Sequence, residues 1–135
     1  MKKVFVDTAA WIALINEDDD LHTKALEILE HLRQQKTRLL TTEFVLLEVA
    51  DAFCSPQFRG KAIAYLNGLR QMKHLRIVSV SQDLLNDAWA LFCQRLDKGW
   101  GLTDCTSFVT MTQEQIVEAF TSDHHFEQSG FVKLM

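Results

Sequence analysis

The sequence predicts an α/β protein, a three-layer α/β/α sandwich with a central, mostly parallel sheet. Short apolar runs of strand length alternate with longer segments of helical periodicity, and no repeat, low-complexity tract or linker interrupts them. Strands that alternate with helices build a parallel sheet covered on both faces. The 135 residues suit a single domain spanning residues 1–135.

The predicted strands are short and mostly apolar, as expected inside a parallel sheet. They cover residues 4–6, 38–41, 75–80, 116–120 and 131–134. The predicted helices show apolar residues at helical spacing or begin after a capping residue such as Thr42. They cover residues 9–15, 21–32, 43–54, 58–72 and 83–95, a further helix opened by Thr103 and Asp104, and a short turn at 124–127.

Composition excludes several classes of protein. No apolar run approaches the roughly 18 residues of a membrane span, and the three apolar residues before Asp7 are too few for a signal peptide. We therefore expect a cytoplasmic protein with no membrane partner. Cys54, Cys93 and Cys105 are odd in number and lack the paired spacing of a zinc site, so we expect small buried side chains.

Two aspartates follow predicted strands, at the edge where parallel α/β sheets bind ligands. Asp7 comes directly after the first strand, and Asp123 lies just beyond the strand that ends near Thr121. Both of them, like Asp104, also precede a helical segment, where aspartate is a favoured N-cap worth about 1 kcal/mol. Taken one at a time, capping explains each aspartate better than metal binding does.

Glu48 is the most informative single residue because it lies inside a predicted helix. The residues three and four positions away on its helical face are Phe44, Val45, Asp51 and Ala52. We therefore expect this carboxylate to lie in a mostly apolar stripe. A charge there is costly unless a cation meets it.

If these carboxylates converge, electrostatics requires a bound cation or the protonation of some of them. Two carboxylates about 4 Å apart repel each other by roughly 4 kcal/mol at an effective dielectric constant near 20. A ligand set of oxygens alone favours a hard divalent ion, Mg²⁺ or Mn²⁺, over zinc. Such an ion can activate water and stabilise the charge on a leaving oxygen, as hydrolysis of a phosphodiester requires.

Four acidic motifs resemble those of PIN domains. They are Phe-Val-Asp-Thr-Ala-Ala-Trp at 5–11, Thr-Thr-Glu-Phe-Val-Leu-Leu-Glu-Val at 41–49, Leu-Thr-Asp-Cys-Thr-Ser-Phe at 102–108 and Phe-Thr-Ser-Asp-His-His-Phe at 120–126. The resemblance runs along the whole chain in the right order, and the length is that of a minimal member. One such motif is a weak signal, whereas all four at these spacings are a strong one.

The resemblance implies a Mg²⁺- or Mn²⁺-dependent endoribonuclease on an α/β/α sandwich. The residues that match the metal-binding and catalytic acids of the family are Asp7, Glu48, Asp104 and Asp123. Thr8 and Thr121 match hydroxyl positions near the metal, where they would position water or an acid, although backbone capping explains them equally well. We expect His124 and His125 to lie in a surface turn without a chemical role.

A basic segment offers candidate contacts to RNA phosphates. Residues 55–82 contain five cations and no Asp or Glu, and because the whole chain carries −4, the remainder stands at −9. The candidates for RNA binding are Arg59, Lys61, Arg70 and Lys73. A solvated helix face rich in lysine and arginine explains the same pattern equally well.

Many small proteins that resemble this chain are toxins of bacterial toxin–antitoxin pairs, of the VapC-like kind. The resemblance therefore implies RNA as substrate, a protein antitoxin as partner, and a homodimer. Two alternatives stay open: a nuclease that cuts DNA or nucleic-acid junctions, and a catalytically silent module that binds RNA or a partner. A phosphotransfer domain with an aspartyl nucleophile is disfavoured, because the second Asp that it needs is replaced by Ala9.

Overall fold

The computed structural model describes residues 2–135 and has a five-stranded sheet with the order β3-β2-β1-β4-β5. The strands are β1 (Lys3–Val6), β2 (Arg38–Thr42), β3 (Leu75–Val78), β4 (Glu118–Phe120) and β5 (Val132–Lys133). The helices are α1 (Thr8–Ile15), α2 (His22–Gln34), α3 (Glu43–Ala52), α4 (Pro56–Leu69), α5 (Gln82–Gln94), α6 (Leu102–Gln113) and α7 (His124–Gln128). Every neighbouring pair of strands is parallel. The predicted fold class is confirmed, and the sheet is parallel throughout.

Strand β1 lies at the centre of the sheet, and the chain leaves it in opposite directions. It passes from β1 to β2 and β3 on one side, then crosses to β4 and β5 on the other. Right-handed crossovers put α1 to α4 on one face of the sheet and α5 to α7 on the other. The contacts of α1 with α3 and of α5 with α6 agree with this arrangement. The carboxyl ends of β1 and β4 therefore flank a crevice of the kind in which open α/β sheets bind ligands.

The central strand is buried because helices cover both of its faces. Residues 4–6 of β1 are 0% exposed. Phe126 of α7 packs edge-on against Phe108 of α6, with ring centroids 4.9 Å apart, while Trp11 of α1 packs against Tyr65 of α4. Full burial of one such side chain contributes roughly 1.5–3 kcal/mol. Among the residues described, no helix combines the length and apolar character that a membrane crossing needs.

Three of the helices that lead into strands end with the same backbone motif. After α2, α6 and α7 comes one residue in the left-handed region: Lys36 at φ 56°, Gln115 at φ 57° and Gly130 at φ 94°. The next backbone N–H then bonds the carbonyl five residues earlier, as in Ile116 to Met111 at 2.9 Å. This motif uses Ile116 to close α6, which is why β4 begins at Glu118 and not at residue 116 as predicted.

The ends of other predicted elements also differ in the structure, as β3 and α4 show. Strand β3 ends at Val78 because the N–H of Val80 donates to Oε1 of Glu43 at 2.8 Å instead of joining the ladder. Helix α4 runs from Pro56 to Leu69, so it begins and ends two to three residues earlier than predicted. Both differences arise at element ends, where hydrogen bonds outside the element decide the boundary.

Candidate active site

Asp7 and Asp123 follow β1 and β4, and Glu48 and Asp104, on α3 and α6, lie close enough for their charges to act on Asp7; we call these four predicted acids the acidic centre. They are Asp7, Glu48, Asp104 and Asp123. Helices α3 and α6, which carry the second and third of them, contact each other over the crevice. The structure thus brings together carboxylates from four separate segments of the chain.

Asp7 is deeply buried, with 4% of its surface exposed. It occupies the N-cap position of α1, yet its side chain makes no capping hydrogen bond. Instead, its Oδ2 accepts a hydrogen bond of 2.8 Å from the hydroxyl of Thr121. Burial raises the pKa of Asp7 to about 7, and the charges of Asp104 and Glu48 act in the same direction. The capping explanation therefore does not hold for Asp7.

The hydroxyl of Thr121 joins two strands of the site. This side chain is 0% exposed. It donates to Asp7, and it accepts a hydrogen bond of 3.1 Å from the backbone N–H of Asp123. The bond from Asp123 is local and closes a turn of two residues. The bond to Asp7 joins residues that are 114 positions apart in the sequence. Thr121 thus ties the loop after β4 to the carboxylate after β1.

Glu48 lies at the rim of the acidic centre and is exposed. The expectation that its carboxylate lies in an apolar stripe is wrong, because α3 buries the face that carries Val45 and Val49. Glu48 is turned about 100° from Val49 around the helix axis. The contact that links it to the centre comes from Thr8, whose hydroxyl donates to Oε1 at 2.5 Å.

Asp104 is the third residue of α6, which begins one residue before the predicted opening of this helix. Its Oδ2 accepts a hydrogen bond of 3.0 Å from the backbone N–H of Gly101, so part of its role is to cap α6. The same oxygen lies 3.3 Å from Nδ1 of His125. Burial raises the pKa of Asp104, and the charge of Asp123 raises it further.

Asp123 caps α7, as predicted, since its Oδ1 accepts a hydrogen bond of 2.9 Å from the N–H of His125. The imidazole of His125 also turns toward the acids, with Nδ1 3.4 Å from the same oxygen. The sequence analysis expected His125 to lie in a surface turn, whereas its side chain is 24% exposed and lies against two of the acids. The position of His125, two residues after the helix cap Asp123, could have indicated this contact, because the first turn of a helix brings its second residue close to the cap.

No lysine or arginine among residues 2–135 forms an ion pair with any member of the acidic centre. The ring nitrogens of His124 and His125 are the side-chain nitrogens that lie within 4.0 Å of these carboxylates among the described residues. Several carboxylates with no fixed cation, one of them buried, are a donor set that suits a hard divalent ion such as Mg²⁺ or Mn²⁺. The residues present therefore fit such an ion.

The candidate RNA-binding cations are exposed and lie apart from the acidic centre. Arg59 donates two hydrogen bonds to the carbonyl of Cys54, at 3.0 and 2.7 Å. Lys61 pairs with Glu17 at 3.3 Å, on the side of α4 roughly opposite to Arg59. Arg70 pairs at 3.7 Å with the carboxylate that opens α3, just after β2. Of these cations, Arg70 thus reaches the edge of the sheet that carries the acids, while Lys73 lies exposed in the turn before β3.

The cysteines take no part in this arrangement. Cys105, next to Asp104, is buried, and burial raises the pKa of its thiol, so the thiol stays protonated at neutral pH. Cys54 and Cys93 are exposed, contrary to the expectation of buried side chains. Carboxylates and hydroxyls, not thiols, line the crevice.

Comparison with known families identifies the class of protein that this fold and site define. The PIN domain model matches residues 4–132, so the chain belongs to the PIN-domain family. It is similar to the 23S rRNA-specific endonuclease VapC20 of Mycobacterium tuberculosis (strain ATCC 25618 / H37Rv). The two are 27% identical over 131 residues, which cover 97% of each chain.

Solved structures agree with this assignment. The crystal structure of Mycobacterium tuberculosis VapC20, described as a Sarcin-Ricin loop cleaving toxin, superposes with a TM-score of 0.82 at 28% identity over 96% of both chains. VapBC2 from Rickettsia felis, solved bound to a DNA fragment from its promoter, gives a TM-score of 0.71 at 16% identity, over 97% of this chain and 96% of that one. The second likeness shows a shared fold.

Proposed function

We propose that this protein is a Mg²⁺- or Mn²⁺-dependent endoribonuclease whose catalytic and metal-binding residues form the acidic centre. The observation that carries the proposal is the convergence of four carboxylates without a lysine or arginine partner in a crevice at the carboxyl ends of β1 and β4. A bound divalent ion would supply the Lewis acidity that hydrolysis of a phosphodiester requires. Similarity to an rRNA-specific endonuclease supports the same reaction class.

The residues around the acids hold them in position. The hydroxyl of Thr121 orients Asp7, and that of Thr8 orients Glu48. Backbone N–H groups do the same for Asp104 and Asp123. Because each acid is held by a bond outside the metal site, the donor oxygens are arranged before an ion arrives, which limits the cost of ordering them on binding.

RNA is the substrate that this proposal assigns, and ribosomal RNA is the first RNA to test, because the related VapC20 is named for 23S rRNA. Arg70 and Lys73 are the proposed contacts to flanking phosphates, with Arg59 and Lys61 as further candidates. A cytoplasmic location, as expected from the sequence, belongs to the same proposal.

The test is cleavage of a mixed RNA pool that includes rRNA, with sequencing of the product ends. Wild type should cleave with Mn²⁺ or Mg²⁺ and not with a chelator, and Asp104→Asn should lose at least about a hundredfold in rate. The matched control is Asp97→Asn, an exposed aspartate in the loop before α6, which should keep full activity. Cleavage that survives chelation or Asp104→Asn would refute the proposal. RNA binding without cleavage would indicate a silent module, and cleavage of DNA alone a DNA nuclease.

We also propose that the groove between α3 and α4 receives a segment of a protein antitoxin. Its walls carry the exposed Leu47 and Ile63 and the half-buried Leu46 and Leu66. Structural likeness to toxins solved in VapBC complexes supports this kind of partner. In a pull-down with the product of any short reading frame that immediately precedes this gene, Ile63→Glu should weaken binding, whereas Leu26→Glu on α2 should not.

A homodimer completes the proposal, with α5 as the paired helix. Leu85, Trp89 and Phe92 recur at helical spacing on α5, and Trp89 and Phe92 are 55% and 40% exposed. Leu96, which follows the helix, is 93% exposed. Trp89→Glu should convert a dimer to a monomer in sedimentation, whereas Val117→Glu, at an equally exposed apolar position, should not.

A further inference from the structure

We propose that His125 is a nitrogen ligand of the divalent ion on the Asp104–Asp123 side of the acidic centre, and that it makes the site prefer Mn²⁺ to Mg²⁺. This inference rests on the proposed function, since it requires an ion in the acidic centre. It adds a donor that differs in chemical type from the four carboxylates.

The geometry places one imidazole nitrogen between two acids. Nδ1 of His125 lies 3.3 Å from Oδ2 of Asp104 and 3.4 Å from Oδ1 of Asp123. Donor atoms on adjacent corners of an octahedral ion with bonds near 2.1 Å are about 3 Å apart. Both spacings are therefore close to what two neighbouring ligands of one ion require.

The backbone holds this ring in place. His125 is the second residue of α7, and its N–H is bonded to Asp123. The next residue, Phe126, is 0% exposed and packs in the aromatic core against Phe108. A buried anchor on one side and a capped turn on the other fix the direction in which the imidazole points, as a preorganised ligand requires.

His124 provides a natural contrast within the same turn. The donor atoms of Asp123, His124 and His125 all lie within 4.8 Å of one another. Yet Nδ1 of His124 is 3.8 Å from Oδ1 of Asp123, it makes no ion pair with Asp104, and its side chain is 69% exposed against 24% for His125. The inference therefore assigns the ligand role to His125 and not to its neighbour.

The different ligand preferences of Mg²⁺ and Mn²⁺ can show whether His125 binds the ion or only positions Asp104. Mg²⁺ takes oxygen ligands and water, whereas Mn²⁺ lies on the series of ions whose affinity for nitrogen sites rises toward copper. An imidazole that only donates a hydrogen bond to Asp104 would support both ions equally. A ligating imidazole would support Mn²⁺ more than Mg²⁺, so the ratio of the two affinities distinguishes the roles.

The experiment measures Mn²⁺ and Mg²⁺ binding to the metal-stripped full chain by calorimetry. His125→Ala should lose about tenfold in Mn²⁺ affinity while its Mg²⁺ affinity changes less than about twofold. His124→Ala is the matched control and should change neither affinity. Asp104→Asn should weaken both ions, which shows that the ions occupy the acidic centre.

A second measurement needs no variant. Pulsed electron paramagnetic resonance of the Mn²⁺-loaded wild type should show coupling to a ¹⁴N nucleus, and His125→Ala should lose that coupling. Absence of nitrogen coupling in wild type, or an equal loss of both ions in His125→Ala, would overturn the ligand role and leave the proposed function standing. If wild type binds neither ion, the inference and the proposed function both fall.

Discussion

The acidic centre and helix α4 hold their charged side chains in opposite ways. In the acidic centre, Asp7 is buried, has one hydroxyl donor and meets no basic side chain. Lys61 on α4 and Arg70 directly after it are exposed, and each lies within 4.0 Å of a carboxylate. One region gathers carboxylates of a single sign around the buried Asp7, and the other pairs each cation with a carboxylate at the surface.

This difference shows where function conflicts with stability. A buried carboxylate that has no cation beside it destabilises the folded state. An exposed ion pair stabilises it by only about 0–1 kcal/mol. We therefore expect substitutions in the acidic centre to change stability and activity in opposite directions. We expect substitutions of the exposed cations Lys61 and Arg70 to leave stability unchanged and to alter the binding of a polyanion.

Asp7→Asn should have the largest effect on stability when metal is removed. The pKa of Asp7 is raised from 3.8 to about 7, so its stabilising contribution is complete below about pH 4 and is lost as the pH rises to about 7. A shift of this size corresponds to roughly 4 kcal/mol. Urea unfolding of wild type in a chelator should therefore show a loss of stability over this range that Asp7→Asn lacks, which makes the variant the more stable protein at pH 7.5.

The matched control for Asp7 is Asp51→Asn, an exposed aspartate on α3, whose pH dependence should follow that of wild type. Millimolar Mn²⁺ should raise the melting temperature of wild type and not that of Asp7→Asn. Parallel stability curves for wild type and Asp7→Asn would show that the buried carboxylate carries no such cost.

Thr121→Val should have an intermediate effect. It removes the hydroxyl that donates to Asp7 and accepts from the N–H of Asp123, and a buried polar group left without its partner costs about 1–3 kcal/mol. Thr121→Ser keeps the hydroxyl and should lose less than half as much in urea unfolding at neutral pH. A larger loss in Thr121→Ser than in Thr121→Val would mean that the methyl group, which valine keeps and serine lacks, and not the hydrogen bonds, stabilises this position.

Replacing Arg70 and Lys73 with Ala should have the smallest effect on stability, within about 0.5 kcal/mol, because both side chains are exposed. The same pair should weaken RNA binding and reduce the slope of log K against log salt by about 0.7 for each phosphate that the protein no longer neutralises. Arg33→Ala with Lys24→Ala, both exposed on α2, is the control. An unchanged slope in the variant that lacks Arg70 and Lys73 would identify these cations as a solvated face.

Sequence patterns predicted the order and type of the elements because these depend on local periodicity. Errors arose where a bond from elsewhere sets a boundary, as with Val80 on Glu43, or where a helix-closing turn takes a residue from the next strand, as with Ile116. The burial of Glu48 was predicted wrongly for a related reason. Helical spacing defines a face, but only the packing of α3 decides which face turns inward.

The candidate site divides in the same way. Asp7 and Asp123 could be placed together from sequence, since parallel strands present their carboxyl ends at one edge of the sheet. The bond from Thr121 to Asp7 and the approach of His125 to Asp104 join residues 114 and 21 positions apart. No local pattern encodes such contacts, because they depend on how separate elements pack.

The sequence by itself determined the fold class, the PIN resemblance and the identity of four candidate carboxylates, because periodicity and motif order are properties of the chain. Only the tertiary structure decided how these acids differ. It buries Asp7 under the hydroxyl of Thr121, leaves Glu48 at the rim beside Thr8, and turns His125 toward the other two acids. Burial and charge balance arise only when distant elements exclude water from a shared crevice, and they set the pKa of Asp7 and the donors offered to an ion.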